Sequence, residues 1–136
     1  MKSKARAAAL KYGYRSGLEL DTAKFLKSKG VTFTYEENKI RWEDFKVRTY
    51  TPDFYVTSKS GKEIIIETKG RFVATDRAKH LSIRKQFADT YDIRFLFSNP
   101  NVKLSKASKT TYAMWCRQHG FMWDKGPEVP LEWLEE

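Results

Sequence analysis

Phe54-Tyr55-Val56-Thr57, then Ser58-Lys59-Ser60-Gly61-Lys62, then Glu63-Ile64-Ile65-Ile66-Glu67-Thr68: this stretch decides the fold. Two runs rich in β-branched and aromatic residues flank five turn-forming ones, which predicts a β-hairpin. With the turn centred on Ser60, Phe54 falls opposite Ile66 and Asp53 opposite Glu67. Directly opposed residues in an antiparallel pair share a face, and side chains alternate with period two. Lys69 therefore joins Asp53 and Glu67, while Phe54, Val56, Ile64 and Ile66 turn the other way, into the core. A slip of one residue would scatter this grouping.

Two carboxylates and an ammonium at the open end of one hairpin suit phosphodiester hydrolysis. That reaction needs an activated water and relief of charge on the phosphate and the leaving oxygen. Asp53 and Glu67 supply hard oxygen ligands for Mg²⁺, which keeps positions for water and phosphate. The backbone carbonyl of Thr68 completes such a shell. Lys69 orients the water or helps deprotonate it, and stabilises the developing charge. Glu19, on a helix upstream, offers a carboxylate for a second metal position. Glu-x-Lys alone carries almost no information, and Glu37-Asn38-Lys39 repeats it without an assigned role. The stronger signal is the opposed acidic pair, which destabilises a hairpin unless a cation joins it.

The rest of the chain builds around this hairpin. Ser16-x-x-Glu19 is a capping box that starts a helix over about residues 16–29, with Leu18, Phe25 and Leu26 as its apolar stripe and Gly30 as its stop. Val31, Phe33 and Tyr35 alternate as a strand. In residues 36–50, Ile40/Trp42 and Phe45/Val47 keep a period of two, so this charged segment reads as extended. Thr75 or Asp76 caps a second helix through about Phe87, on which Arg77, Lys79, His80, Arg84 and Lys85 form an exposed basic row. Ile93–Phe97 is a buried strand, and a third helix runs from about Thr110 to His119, stopped by Gly120. His119 reads as a cation at that helix's C-terminus, Cys116 as a small core residue. Trp133 and Leu134 dock the tail on the body. The architecture is α/β, a mixed sheet flanked by helices.

Size and charge bound the function. The 136 residues fit one domain, read as 16–136, preceded by a flexible basic arm, 1–15, that carries Lys2, Lys4, Arg6, Lys11 and Arg15 without an acidic residue. Lys and Arg total 26 against 17 Asp and Glu, a formal charge of +9, which favours a polyanionic partner. No apolar run approaches a membrane span and no secretory signal is evident, so the expectation is a cytoplasmic protein that needs neither membrane nor organic cofactor.

Four stretches taken together resemble one known family: Arg15-Ser16-Gly17-Leu18-Glu19, Tyr50-Thr51-Pro52-Asp53-Phe54, Glu67-Thr68-Lys69-Gly70, and Asp76-Arg77 through Lys79-His80-Leu81 to Ile83-Arg84. The chain resembles the endonuclease I family of T-seven-like phages, Holliday-junction resolvases among the PD-(D/E)xK nucleases. The resemblance implies a restriction-endonuclease-like core in an intertwined, domain-swapped homodimer. Catalytic residues would be Glu19, Asp53, Glu67 and Lys69, with Glu19 contributed by one chain and the other three by its partner. It implies paired cleavage of branched DNA with one or two Mg²⁺ ions per site, Mn²⁺ substituting, in phage recombination or breakdown of host DNA. The basic arm and the second helix, with Arg77, Lys79, His80 and Arg84, would contact DNA. Residues 36–50 are the candidate inter-subunit bridge, although Glu36–Arg48 departs from the family's bridge and has no proline. Two other readings differ in what they predict. A sequence-directed endonuclease on the same core, of transposon-end or restriction type, would cut linear duplex. A non-catalytic binding module would tolerate Glu67→Gln.

Overall fold

The computed structural model describes residues 9, 10, 12–43 and 46–136. Helix α1 (Gly17–Ser28) begins where the Ser16 hydroxyl accepts the Glu19 N–H at 3.1 Å, and Leu20, Ala23 and Leu26 form its buried stripe. The stripe shares Leu26 with the expected one but is turned about a third of a turn from it, and Leu18 and Phe25 are only half-buried.

Strands β1 (Thr32–Tyr35), β4 (Phe54–Thr57), β5 (Glu63–Lys69), β6 (Ile93–Phe97) and β7 (Met122–Lys125) form one sheet in the order β1-β4-β5-β6-β7. The hairpin has the register read from the sequence: Phe54 opposes Ile66 and Thr57 opposes Glu63. β5, β6 and β7 run parallel, joined by helices α2 (Ala74–Phe87) and α3 (Tyr112–His119) as crossovers. The sheet is thus mixed, flanked by helices on both faces. This explains why Ile64-Ile65-Ile66 is wholly apolar rather than alternating. Ile64 and Ile66 pack with Phe54, Val56, Leu96, Ala23, Leu26, Trp133 and Leu134 on one face. Ile65 packs with Phe72, Ile83, Phe95, Phe97, Trp115 and Cys116 on the other. Burial pushes the Cys116 thiol up to about 12, which suits an inert core residue.

Three expectations need correction or completion. Helix α2 starts at Ala74 behind Val73, which makes no side-chain cap bond. Thr75 and Asp76 lie inside its first turn, and the Asp76 carboxylate turns to Lys69 at 3.6 Å instead of capping. The segment over 36–50 is a hairpin of its own, β2 (Ile40–Glu43) against β3 (Val47–Tyr50), separate from the main sheet. Ile40, Trp42 and Tyr50 bury on α2's side, but Val47 is exposed, and Phe45 lies outside the described residues. β7 and the short α4 (Leu131–Glu135) went unread, although the docking of Trp133 and Leu134 holds. Among the described residues, no helix is long and apolar enough to cross a membrane. One chain pairs β1 with its own β4 and so brings α1 beside the hairpin's open end.

Candidate nuclease site

Asp53 stands one residue before β4, opposite Glu67, and both are almost wholly buried, 3% and 4% exposed. Each carboxylate has one oxygen tied to the protein. Asp53 Oδ2 accepts the Thr68 N–H at 2.9 Å and the Thr68 hydroxyl at 2.8 Å. Glu67 Oε2 accepts the Tyr50 hydroxyl at 2.7 Å and the Asp53 N–H at 3.3 Å. The other oxygens lie near basic side chains: Asp53 Oδ1 is 3.8 Å from the Arg15 guanidinium, and Glu67 Oε1 is 3.7 Å from Lys69 Nζ. The convergence of Asp53, Glu67 and Lys69 read from the hairpin is therefore present.

Glu19 joins them from the first turn of α1, 6% exposed. Its N–H uses the Ser16 cap, but its carboxylate does not reach back to complete a capping box; it accepts the Tyr35 hydroxyl. Glu36 is the residue that sequence reading missed. The chain leaves β1 there in a left-handed conformation, φ 52, and the Glu36 N–H donates to the Asp53 carbonyl at 3.1 Å. Few side chains other than glycine, Asn or Asp adopt that conformation cheaply. Ligand oxygens of Glu19, Glu36 and Asp53 all lie within 4.8 Å of one another, close enough for one ion. Arg15, 67% exposed, covers this group with its Nε 2.6 Å from Glu36 Oε1. The signal available for Glu36 was its place at the end of a strand, but only the pairing of β1 with β4 carries it to Asp53.

The electrostatics favour a cation. Burial first, then Glu67 and Glu19, hold the Asp53 carboxyl well above the usual carboxylate range, against the two Thr68 donors. Burial also raises Glu67, opposed by Lys69, Tyr50 and Lys79. Tyr50 is raised by burial and by Glu67, and Tyr35 by burial and its bond to Glu19. Arg15 loses to burial but is raised overall by Glu36, Tyr35, Glu19 and Asp53. Two adjacent buried carboxylates, Asp53 and Glu67, are both raised, as expected where a cation would relieve them. Glu19, Glu36 and Asp53 could together hold a metal ion.

The sites proposed for DNA contact divide. Lys2, Lys4, Arg6 and Lys11 lie outside the described residues. Arg15 is at the mouth. Lys79 lies over the Tyr50 ring at 5.3 Å, beside the site. Arg77 donates to the Phe72 carbonyl at 2.6 Å, and Arg84 lies over the Phe121 ring at 4.9 Å, about 10 Å further along α2. His80 was read as exposed, and this is wrong: it is fully buried between Tyr50 and Phe95, at ring distances of 5.2 and 4.9 Å. Its place in a basic row was misleading because α2 turns that one position inward. Burial, then Lys79 and Lys69, push its imidazole well below the usual range.

The comparisons with known proteins define the class of protein: a nuclease. The sequence pattern of the family described as Phage endonuclease I matches residues 1–136. Similar proteins include Endonuclease I of Escherichia phage T7, 43% identical over 90% of this chain and 79% of that protein. Endodeoxyribonuclease 1 of Enterobacteria phage T3 is 44% identical over 80% of this chain and 69% of that protein. The chain belongs to the phage endonuclease I family.

Proposed function

We propose that this protein is a Mg²⁺-dependent endodeoxyribonuclease that resolves four-way and other branched DNA junctions by paired phosphodiester cleavage. The observation that carries the reading is the buried Asp53–Glu67 pair, each carboxylate anchored through one oxygen and with a basic side chain near the other. A DNA substrate is supported by the name of the phage T3 relative and by the formal charge of +9. Asp53, Glu67, the Thr68 carbonyl and Glu19 would hold the metal, with Glu36 as a further oxygen donor. Bound there, Mg²⁺ would acidify a water and take up charge on the phosphate.

The chain's own groups do the rest. Lys69 Nζ, beside Glu67, orients the attacking water and offsets charge as its oxygen bonds to phosphorus and the bond to the leaving oxygen breaks. Arg15 exchanges its carboxylate partners for a phosphate at the mouth, with Lys2, Lys4, Arg6 and Lys11 along the backbone. Reading of backbone and branch shape requires no base contacts, so selectivity follows structure rather than sequence. Paired cuts need two sites, hence a homodimer; in an exchanged form of it the β1–β4 contact seen within one chain would form between subunits, with the bridge within residues 36–50 and Glu19 supplied by the partner.

Labelled four-way junctions of unrelated arm sequence, run beside linear duplexes of the same sequence, test the substrate. Cutting confined to junctions supports the proposal. Cutting of duplex at a fixed sequence transfers the site to a sequence-directed enzyme. Exchange is tested by refolding Glu19→Gln and Glu67→Gln chains together. A domain-swapped mixed dimer regains one intact site and nicks the junction, whereas an unexchanged dimer stays inactive.

A further inference from the structure

Tyr50 closes β3, outside the five-stranded sheet, yet its hydroxyl reaches Glu67 Oε2 at 2.7 Å. The residue is 2% exposed and its ring is held on several sides. His80 stands edge-on at 5.2 Å and is itself edge-on to Phe95, and the Lys79 ammonium lies over the ring. Neither ring nitrogen of His80 has a hydrogen-bond partner among the described residues, so His80 acts here as a shaped filler. The hairpin that carries Tyr50 is fastened to α2, where the Gln86 side chain bonds the Glu43 backbone both ways, at 2.9 and 2.6 Å. A phenylalanine would fill this pocket equally well. The hydroxyl's hydrogen-bond partner is a buried carboxylate oxygen, and fixing that oxygen leaves Oε1 facing Lys69.

We propose that Tyr50 is a positioning residue that sets the orientation of Glu67 toward its cation, and that it couples the β2–β3 hairpin to the active centre. The inference rests on Glu67 being a metal ligand, as in the function proposed above. Partners that orient a ligand in this way are worth about tenfold to a hundredfold in metal affinity.

The test is Tyr50→Phe in the full chain, with Mn²⁺ binding measured calorimetrically without DNA and junction cleavage measured across a Mg²⁺ titration. Metal binding about 10- to 100-fold weaker, with the maximal rate at saturating metal close to that of the unaltered chain, is expected. Tyr91→Phe, which removes a hydroxyl beside Phe87, should leave both unchanged. Unaltered metal dependence in Tyr50→Phe, where Glu67→Gln is inactive, overturns the inference alone. Full cleavage by Glu67→Gln removes the metal-ligand reading itself. If Tyr50→Phe does not fold, 4-aminophenylalanine and 4-methylphenylalanine at position 50 replace it. The first keeps a donor and should bind metal normally, the second should not, and equal binding by both overturns the proposal.

Discussion

In metal-free buffer, Asp53→Asn should make this protein more stable while destroying its activity. Asp53 is 3% exposed, and oxygens of Glu19 and Glu36 lie within 4.8 Å of its own. At an effective dielectric of about 20, each such pair of charges repels by ~3.5 kcal/mol. Arg15 at 3.8 Å returns a similar amount before solvent screening of a guanidinium that is 67% exposed. Two Thr68 donors add a further offset. The net gain on removing the charge is about 1–3 kcal/mol, or about 3–12 °C in melting temperature for a domain of this size. Asparagine can keep both Thr68 bonds through its carbonyl oxygen and turn its N–H donors toward the neighbouring carboxylates. Because burial, Glu67 and Glu19 raise the folded-state pKa of Asp53, the contribution of Asp53 to stability is fully present only below the unfolded carboxylate value. That contribution is lost as pH rises through the folded value. The variant should therefore gain most at pH 8 and little at pH 4. Saturating Mg²⁺ should reverse the order, since metal binding stabilises only the chain that holds it, by about 2.7 kcal/mol at a hundred times Kd. Scanning calorimetry in EDTA and in Mg²⁺ at both pH values reads all of this. An Asp53→Asn variant less stable than the unaltered chain in EDTA at pH 8 would refute the electrostatic reasoning.

Three further expectations follow from single contacts. Lys69→Ala should lower single-turnover cleavage by about 10²–10³ while gel-shift affinity for a junction stays near normal; an equal loss of binding would remove its assigned role. Deleting residues 1–11 takes away Lys2, Lys4, Arg6 and Lys11, so the salt slope of junction binding should fall by roughly 3–4. An unchanged slope would take the arm off the DNA. Ile66→Ala, at a fully buried position of β5, should cost about 2–5 kcal/mol in urea unfolding without changing which junctions are cut by the folded fraction.

The hairpin was legible because its two strands, turn and register are contiguous: the placement of Asp53, Glu67 and Lys69 follows from period two and one turn centre. Helix α1 and its Ser16 cap were legible for the same local reason. Glu36 was not, since it reaches Asp53 only through β1–β4 pairing, a contact without local signature. His80 failed for another reason. A helix with Arg77, Lys79, Arg84 and Lys85 looks solvated all round, and the one histidine that fills the space between Tyr50 and Phe95 carries no sign of it in the sequence. β7 is four residues of mixed polarity on the sheet edge, too short and too exposed to show a period. Tyr50 lies in the Tyr50-Thr51-Pro52-Asp53-Phe54 stretch, but its bond to Glu67 depends on how the β2–β3 hairpin folds onto α2.

The most direct test of the account is cleavage of a labelled four-way junction by the unaltered chain and by Glu67→Gln, each in Mg²⁺ and in EDTA. Cutting by the unaltered chain in Mg²⁺, abolished both by EDTA and by the single substitution, is the predicted result. Cutting that survives EDTA, or that persists in Glu67→Gln, would contradict the assignment of Asp53, Glu67 and Lys69 as one metal-dependent catalytic centre.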